Sequence, residues 1–109
     1  MIMLNKDLKN KLKEYKDSCR IALYNGSSLT EYIVITTKRL YQGGGMWQEC
    51  IYLYANKGYT QRFSNEELQT ILSKYPDDMP VYRLDGFMRN VEICHLGYHE
   101  SSLGKYIEL

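Results

Sequence analysis

The chain has 109 residues, 44% of them hydrophobic, and 14 Lys and Arg against 13 Asp and Glu. That is one globular domain's worth, with enough core to fold without metal or disulfide staples. A formal charge of +1 excludes a global field for nucleic acid or anionic membrane. No apolar run approaches the roughly 18 residues that a membrane-spanning helix needs.

The first predicted helix covers residues 6–16. Leu4, Leu8, Leu12 and Tyr15 form one narrow stripe, and Asn5 reads as its N-cap. Residues 6–20 carry Lys6, Lys9, Lys11, Lys13, Lys16 and Arg20 against Asp7, Glu14 and Asp17. This is foremost a solvated helix face. Lys9 and Lys13 are its candidate contacts to an acidic partner.

Strands are expected next, over residues 20–24 and 29–37, joined by a hairpin turn at Asn25-Gly26, two residues that tolerate positive φ. Gln42-Gly43-Gly44-Gly45 reads as a loop. Residues 46–54 follow as a strand on which Ile51 and Leu53 face one way and Tyr52 and Tyr54 the other. A turn at Asn56-Lys57-Gly58 leads to a short strand over 59–63.

The second helix is the best marked. Ser64 and Glu67 make a capping box, and Phe63 and Leu68 a hydrophobic staple. Leu68, Ile71, Leu72 and Tyr75 form the buried stripe, and Pro76 stops it. Asp77-Asp78 covers the break, and Pro80 admits only the start or edge of a strand. Residues 81–84, an Asp85-Gly86 turn and residues 87–96 give a second hairpin. Residues 97–104 read as loop and 105–109 as a last strand.

The segment starting at Asn5 recurs 60 positions later without a gap. Asn5, Leu8, Leu12, Tyr15, Asp17 and Gly26 match Asn65, Leu68, Leu72, Tyr75, Asp77 and Gly86. Two helix-plus-hairpin units, about 5–63 and 65–109, are therefore expected to share one sheet within a single domain. The fold class is α+β: a mostly antiparallel sheet with two short helices on one face.

The chemistry is thin. Cys94-His95-Leu-Gly-Tyr98-His99-Glu100 holds both histidines of the chain. On a strand, residues 95 and 99 stand about 13 Å apart at 3.3 Å per residue, so His95 and His99 are weak metal candidates, and ordinary loop histidines are the favoured reading. Cys94 and His95, as strand neighbours, point to opposite faces and make a poor nucleophile pair, while Cys50 with His95 or His99 stays open. Cys19, Cys50 and Cys94 are an odd count behind no signal peptide, the pattern of a reduced, cytoplasmic protein. Gly43-Gly44-Gly45 lacks the Lys-Ser/Thr of a phosphate loop. It reads instead as a hairpin tip that presents Met46 and Trp47, with Trp47 foremost folded down as a lid on the sheet and otherwise offered to a partner as an anchor.

Eleven tyrosines stand against two Phe and one Trp. Tyr suits half-wet positions, so a sheet with one broad, partly exposed face is expected. Such a face could stack bases, with Arg39, Arg62, Arg83 and Arg89 as basic neighbours. Balanced charge and the lack of an RNP-like motif speak against nucleic acid.

Glu67-Leu68, Ile71-Leu72, Tyr75-Pro76-Asp77-Asp78 and Pro80-Val81-Tyr82 carry one resemblance. A leucine helix, a Pro-Asp-Asp break and a Pro-Val strand ending in Asp-Gly resemble a signature of small phage and prophage accessory proteins. It covers about 20 residues of the chain. The resemblance implies a mobile-element gene. By analogy with inhibitors of bacterial defence systems, anti-CRISPR-like proteins among them, it implies a small binding protein that blocks a host protein.

The sequence thus predicts a non-enzymatic binding protein without cofactor. Its partner-binding residues would be Trp47, Met46, Tyr52, Tyr54, Arg39, Lys9 and Lys13, and its partner a host protein. A protein that sequesters a small nucleotide-like signal is the alternative, and a Cys/His-dependent enzyme the second. Self-association as a homodimer is left open.

Overall fold

The computed structural model describes residues 3–24, 26–56, 58, 61–102 and 104–109. Two helices, α1 (Asn5–Leu12) and α2 (Asn65–Leu72), each open one half of the chain. Behind α1 come β1 (Arg20–Tyr24), β2 (Leu29–Thr30), β3 (Ile33–Gly43) and β4 (Met46–Ala55). Behind α2 come β5 (Val81–Leu84), β6 (Asn90–Glu92), β7 (Gly97–Ser101) and β8 (Gly104–Glu108). The class is α+β.

The strands form two four-stranded sheets, ordered β2-β1-β8-β7 and β3-β4-β5-β6, in place of the one shared sheet expected. Each sheet nevertheless takes strands from both halves. β1 runs parallel to β8, with Ile21 opposite Ile107, and β4 parallel to β5, with Ile51 opposite Val81. The other pairings are antiparallel. Exchanging the two halves turns one strand order into the other: β2-β1-β8-β7 becomes β6-β5-β4-β3.

The same 60-residue offset recurs in the hydrogen bonds that knit the helices in. The Asn5 N–H donates to the Met79 carbonyl at 2.8 Å and the Asn65 N–H to the Cys19 carbonyl at 2.7 Å. Lys6 and Glu66 donate to Asp77 and Asp17, and Val81 and Ile21 to Met3 and Phe63. Gly26 lies against Gly86: a Cβ on Gly26, whose φ is +99°, would stand 3.0 Å from the Gly86 Cα. Only glycine fits that backbone at that approach.

Asn5 is not the N-cap. Leu4 holds that position, its N–H donating to the Asp7 carboxylate at 3.1 Å. Asn5 is the first helical residue and fully buried. Its side chain crosses to α2, where its Nδ2 donates to the carbonyls of Leu72 (2.8 Å), Tyr75 (3.2 Å) and Pro76 (3.2 Å). Asn65 does the same for α1, donating to Leu12 (2.7 Å), Tyr15 (3.3 Å) and Lys16 (3.2 Å). Each helix therefore ends on a side chain from the start of the other, which satisfies carbonyls that a helix C-terminus leaves open.

The capping box of α2 forms as the sequence predicts. The Glu67 N–H donates to Ser64 Oγ at 3.2 Å and the Ser64 N–H to Glu67 Oε1 at 3.1 Å. Leu8 and Leu12, Leu68 and Leu72 join Ile21, Leu23, Ile51, Leu53, Val81 and Ile107 in one buried core. Each such side chain contributes about 1.5–3 kcal/mol on burial, which outweighs the weak propensity of two eight-residue helices.

Several expected boundaries move. The run 29–37 breaks at Glu31 and Tyr32, where the chain leaves one sheet for the other. β3 extends through the expected loop to Gly43. β6 covers only Asn90–Glu92, and β7 forms inside the expected 97–104 loop. The Asn25-Gly26 turn, the Asn56-Lys57-Gly58 turn and the 59–63 strand rest on Asn25, Lys57, Tyr59 and Thr60, which lie outside the described residues.

Candidate interaction surface

The second sheet has two apolar faces because β4 alternates as read. Ile51 and Leu53 enter the core, while Cys50 and Tyr52 join Leu40 and Tyr82 in a separate cluster on the opposite side, edged by Tyr54 and Leu84. The Tyr52 and Tyr54 ring centroids lie 6.2 Å apart, and Lys38 Nζ stands 4.7 Å from the Tyr52 centroid. The Tyr52 hydroxyl donates to Asn90 Oδ1. Burial, then the nearby Asp85 charge, pushes the Tyr52 phenol up; burial, then Glu92, does the same for Tyr82. Tyr52 is only 4% exposed, so its ring serves as floor and not as an anchor. Leu40, Tyr41, Gln42, Tyr82, Arg89 and Asn90 line an open groove of about 480 Å³ along this face.

β4 meets β5 only at residues 51–53. The β3–β4 pair continues well past that contact, from Lys38 opposite Cys50 to Gly43 opposite Met46. This stretch is an arm. At its tip Gly43, Gly44 and Gly45 all take positive φ, which lets the chain turn tightly without a Cβ clash. The tip is pinned: the Gly45 N–H donates to the Tyr41 hydroxyl at 3.0 Å, and the Tyr41 and Trp47 rings meet edge-on at 5.3 Å. Trp47 is still 57% exposed and Met46 67%. Arg39 lines an open pocket with Trp47.

A second apolar projection went unread in the sequence. The turn between β5 and β6 holds Phe87 at 77% and Met88 at 79% exposure. Asp85 organises it: Oδ1 accepts from the Phe87 N–H (2.8 Å) and the Arg89 N–H (2.9 Å), and Oδ2 from Arg89 Nε (2.8 Å). The Arg89 guanidinium lies 5.3 Å from the Phe87 ring centroid. Met88 sits at φ +62°, the left-handed region, among the described residues the one non-glycine there. The Asp85-Gly86 signal pointed to a turn, and the apolar pair behind it looked like the start of a strand. Because β4 and β5 run parallel, this turn and the arm tip lie at opposite ends of the sheet.

The remaining sequence candidates are scattered. Lys9 Nζ pairs with Asp77 Oδ1 at 2.8 Å, and this bond, then the Lys9 charge, holds the Asp77 carboxyl below its ordinary value. Lys13 is exposed at the far end of α1. His99 Nε2 lies 2.8 Å from Glu108 Oε1, and His95 and Cys94 are exposed. Cys50 is buried, its thiol pushed up by burial and then by Glu49. Among the described residues no group of three or more His, Cys, Asp or Glu is placed to hold a metal ion. The pocket bounded by Arg83, Glu92, Cys94, His95 and Glu108 measures about 150 Å³, below the roughly 300 Å³ at which small-molecule sites begin. Among the described residues no helix is long and apolar enough to cross a membrane.

No protein-family model matches the chain, and neither the curated proteins nor the solved structures give a match.

Proposed function

We propose that this chain is a non-catalytic binding protein that docks the β3–β4 arm on a protein partner. One observation carries the reading. β7–β8, the hairpin that occupies the equivalent place in the other sheet, has five-residue strands, and these suffice to pair β8 with β1. β3 and β4 run to 11 and 10 residues. The base of the added length, Leu40 and Cys50, is buried in the second cluster; beyond it the hairpin carries Tyr41, Met46 and Trp47 into solvent. A pinned, exposed Trp at a hairpin tip has the character of an interface anchor.

The resemblance of residues 67–82 to small phage and prophage proteins makes the partner a host protein and the mode of action occlusion of one of its surfaces, as a defence-system inhibitor would act. Met46, Trp47 and Arg39 are the contacts, with Phe87 and Met88 as a second anchor pair.

The test is a titration of the partner captured from a lysate of the host cell. Trp47→Ala is expected to weaken binding by about 2 kcal/mol or more, roughly 30-fold, without a change in melting temperature. Unaltered affinity would remove Trp47 from the interface.

A further inference from the structure

β3 is the edge of its sheet and, at 11 residues, the longest strand among those described. The Asn56 N–H donates to the Tyr32 carbonyl at 3.1 Å, and Tyr32 and Asn56 continue the register in which Ile33 faces Ala55. Antiparallel ladders alternate. Val34, Thr36 and Lys38 therefore turn their backbone groups to β4, and Ile35, Thr37 and Arg39 turn theirs to the open edge. The register is unbroken from Ile33 to Tyr41, and the one irregularity lies at the tip. No proline interrupts the run.

Such an edge is a template for another strand unless something blocks it. What stands on it is charge. Lys38 and Arg39 are adjacent and exposed, and as strand neighbours they project to opposite faces. Lys38 is also the midpoint of Ile33–Gly43. A second copy pairing antiparallel over the full strand would set Lys38 against its own counterpart, and like charges directly opposite destabilise a sheet. The charge that repels a second copy attracts a strand bearing two adjacent carboxylates, one for each face.

We propose that the β3 edge takes an extended segment of the partner protein by strand addition, a β-branched run with two adjacent acidic residues facing Lys38 and Arg39. This rests on the reading that the β3–β4 hairpin docks on a partner and names the chemistry of what β3 takes below the arm tip: backbone hydrogen bonds from Ile35, Thr37 and Arg39 give affinity, and the two cations fix register.

The probe is a fluorescein-labelled, acetylated and amidated peptide, Thr-Val-Thr-Glu-Glu-Val-Thr-Val, followed by anisotropy against the full chain at low salt. Its control carries Lys-Lys at the centre. We expect the acidic peptide to bind at least 10-fold more tightly than the control. Thr37→Pro, which removes an edge-facing N–H at a position where an edge strand accepts proline, should cost at least 10-fold. Should that variant fail to fold, a peptide N-methylated at alternate residues makes the same measurement on the unaltered protein. The pair Lys38→Glu and Arg39→Glu should reverse the preference between peptides. Equal binding of both peptides, no binding of either, indifference to N-methylation, or wild-type dimers that Thr37→Pro abolishes would overturn the proposal. None of these results bears on whether Trp47 anchors a partner, so the two readings fail separately.

Discussion

Asn5 and Asn65 cap each other's helices. Each begins one helix, lies fully buried and donates from Nδ2 to three carbonyls at the end of the other. The two halves are thus locked by a reciprocal exchange of polar side chains at the centre of the fold, and neither sheet is complete without strands of both halves. The arm projects from this frame.

Removing a buried donor leaves its carbonyls unpaired, at about 1–3 kcal/mol each for the worst case. Asn65→Ala is expected to lower unfolding free energy by about 2 kcal/mol in urea titrations. Asn65→Asp should cost more, although an acid at a helix start is ordinarily favourable, because its carboxylate would face three carbonyl oxygens. Equal stability of Asn65→Asp and wild type would show that the side chain does not close α1.

The exchange is not quite symmetric. Asn65 Oδ1 accepts from Gln69 Nε2 at 3.0 Å, whereas Asn5 Oδ1 is buried without a partner among the described residues. The position equivalent to Gln69 is Lys9, which turns outward to Asp77. Lys9→Gln gives up a pair whose acid is well exposed, a pair of a kind that contributes about 0–1 kcal/mol, and supplies the missing donor. It should be at least as stable as wild type and about 1 kcal/mol more stable than Lys9→Ala. Matching stabilities of Lys9→Gln and Lys9→Ala would mean the amide does not reach Asn5.

Asp85 sets the pH behaviour of the second apolar projection. The Arg89 amide first, then the Phe87 amide and the Arg89 side chain, favour its anion over the opposing effect of desolvation, so the carboxyl lies below its ordinary value. A depressed folded value means that the contribution to stability is present above the unfolded value and is lost as pH falls through the folded one. The Phe87 and Arg89 amide proton shifts should titrate together with a midpoint below about 3.9, the ordinary Asp value, and Asp85→Asn should flatten both curves. A midpoint at or above that value would contradict the turn geometry.

What was legible in the sequence is what is local. Ser64 and Glu67 stand one turn apart, and their mutual capping follows from spacing alone. The alternation of Ile51 and Leu53 with Tyr52 is likewise written into adjacent residues, and it correctly divided the two faces of β4. Asn5 misled because asparagine favours the N-cap, while its actual acceptors lie 67 to 71 residues away. The two sheets were hidden for the same reason: the pairings that define them, β1 with β8 and β4 with β5, are parallel and far apart in sequence. Of the surface, the place of the tip at Met46 and Trp47 could be read from the glycines before it, but not that Trp47 stays exposed instead of folding down as a lid. Phe87 and Met88 could not, because a non-glycine in the left-handed region gives no sign of itself in sequence. Tyr52 was the right type on the right face, but the ring lies under Lys38 and beside Asn90.

The most direct measurement concerns the arm itself. Joining Leu40 to Gln48, which face each other across the hairpin, through a two-residue Asn-Gly turn removes residues 41–47 and leaves the core untouched. Quantitative capture from a lysate of the host cell should then lose its stoichiometric partner, while the melting temperature stays within a few degrees of wild type. Undiminished capture of the same partner by a folded, shortened protein would contradict the account.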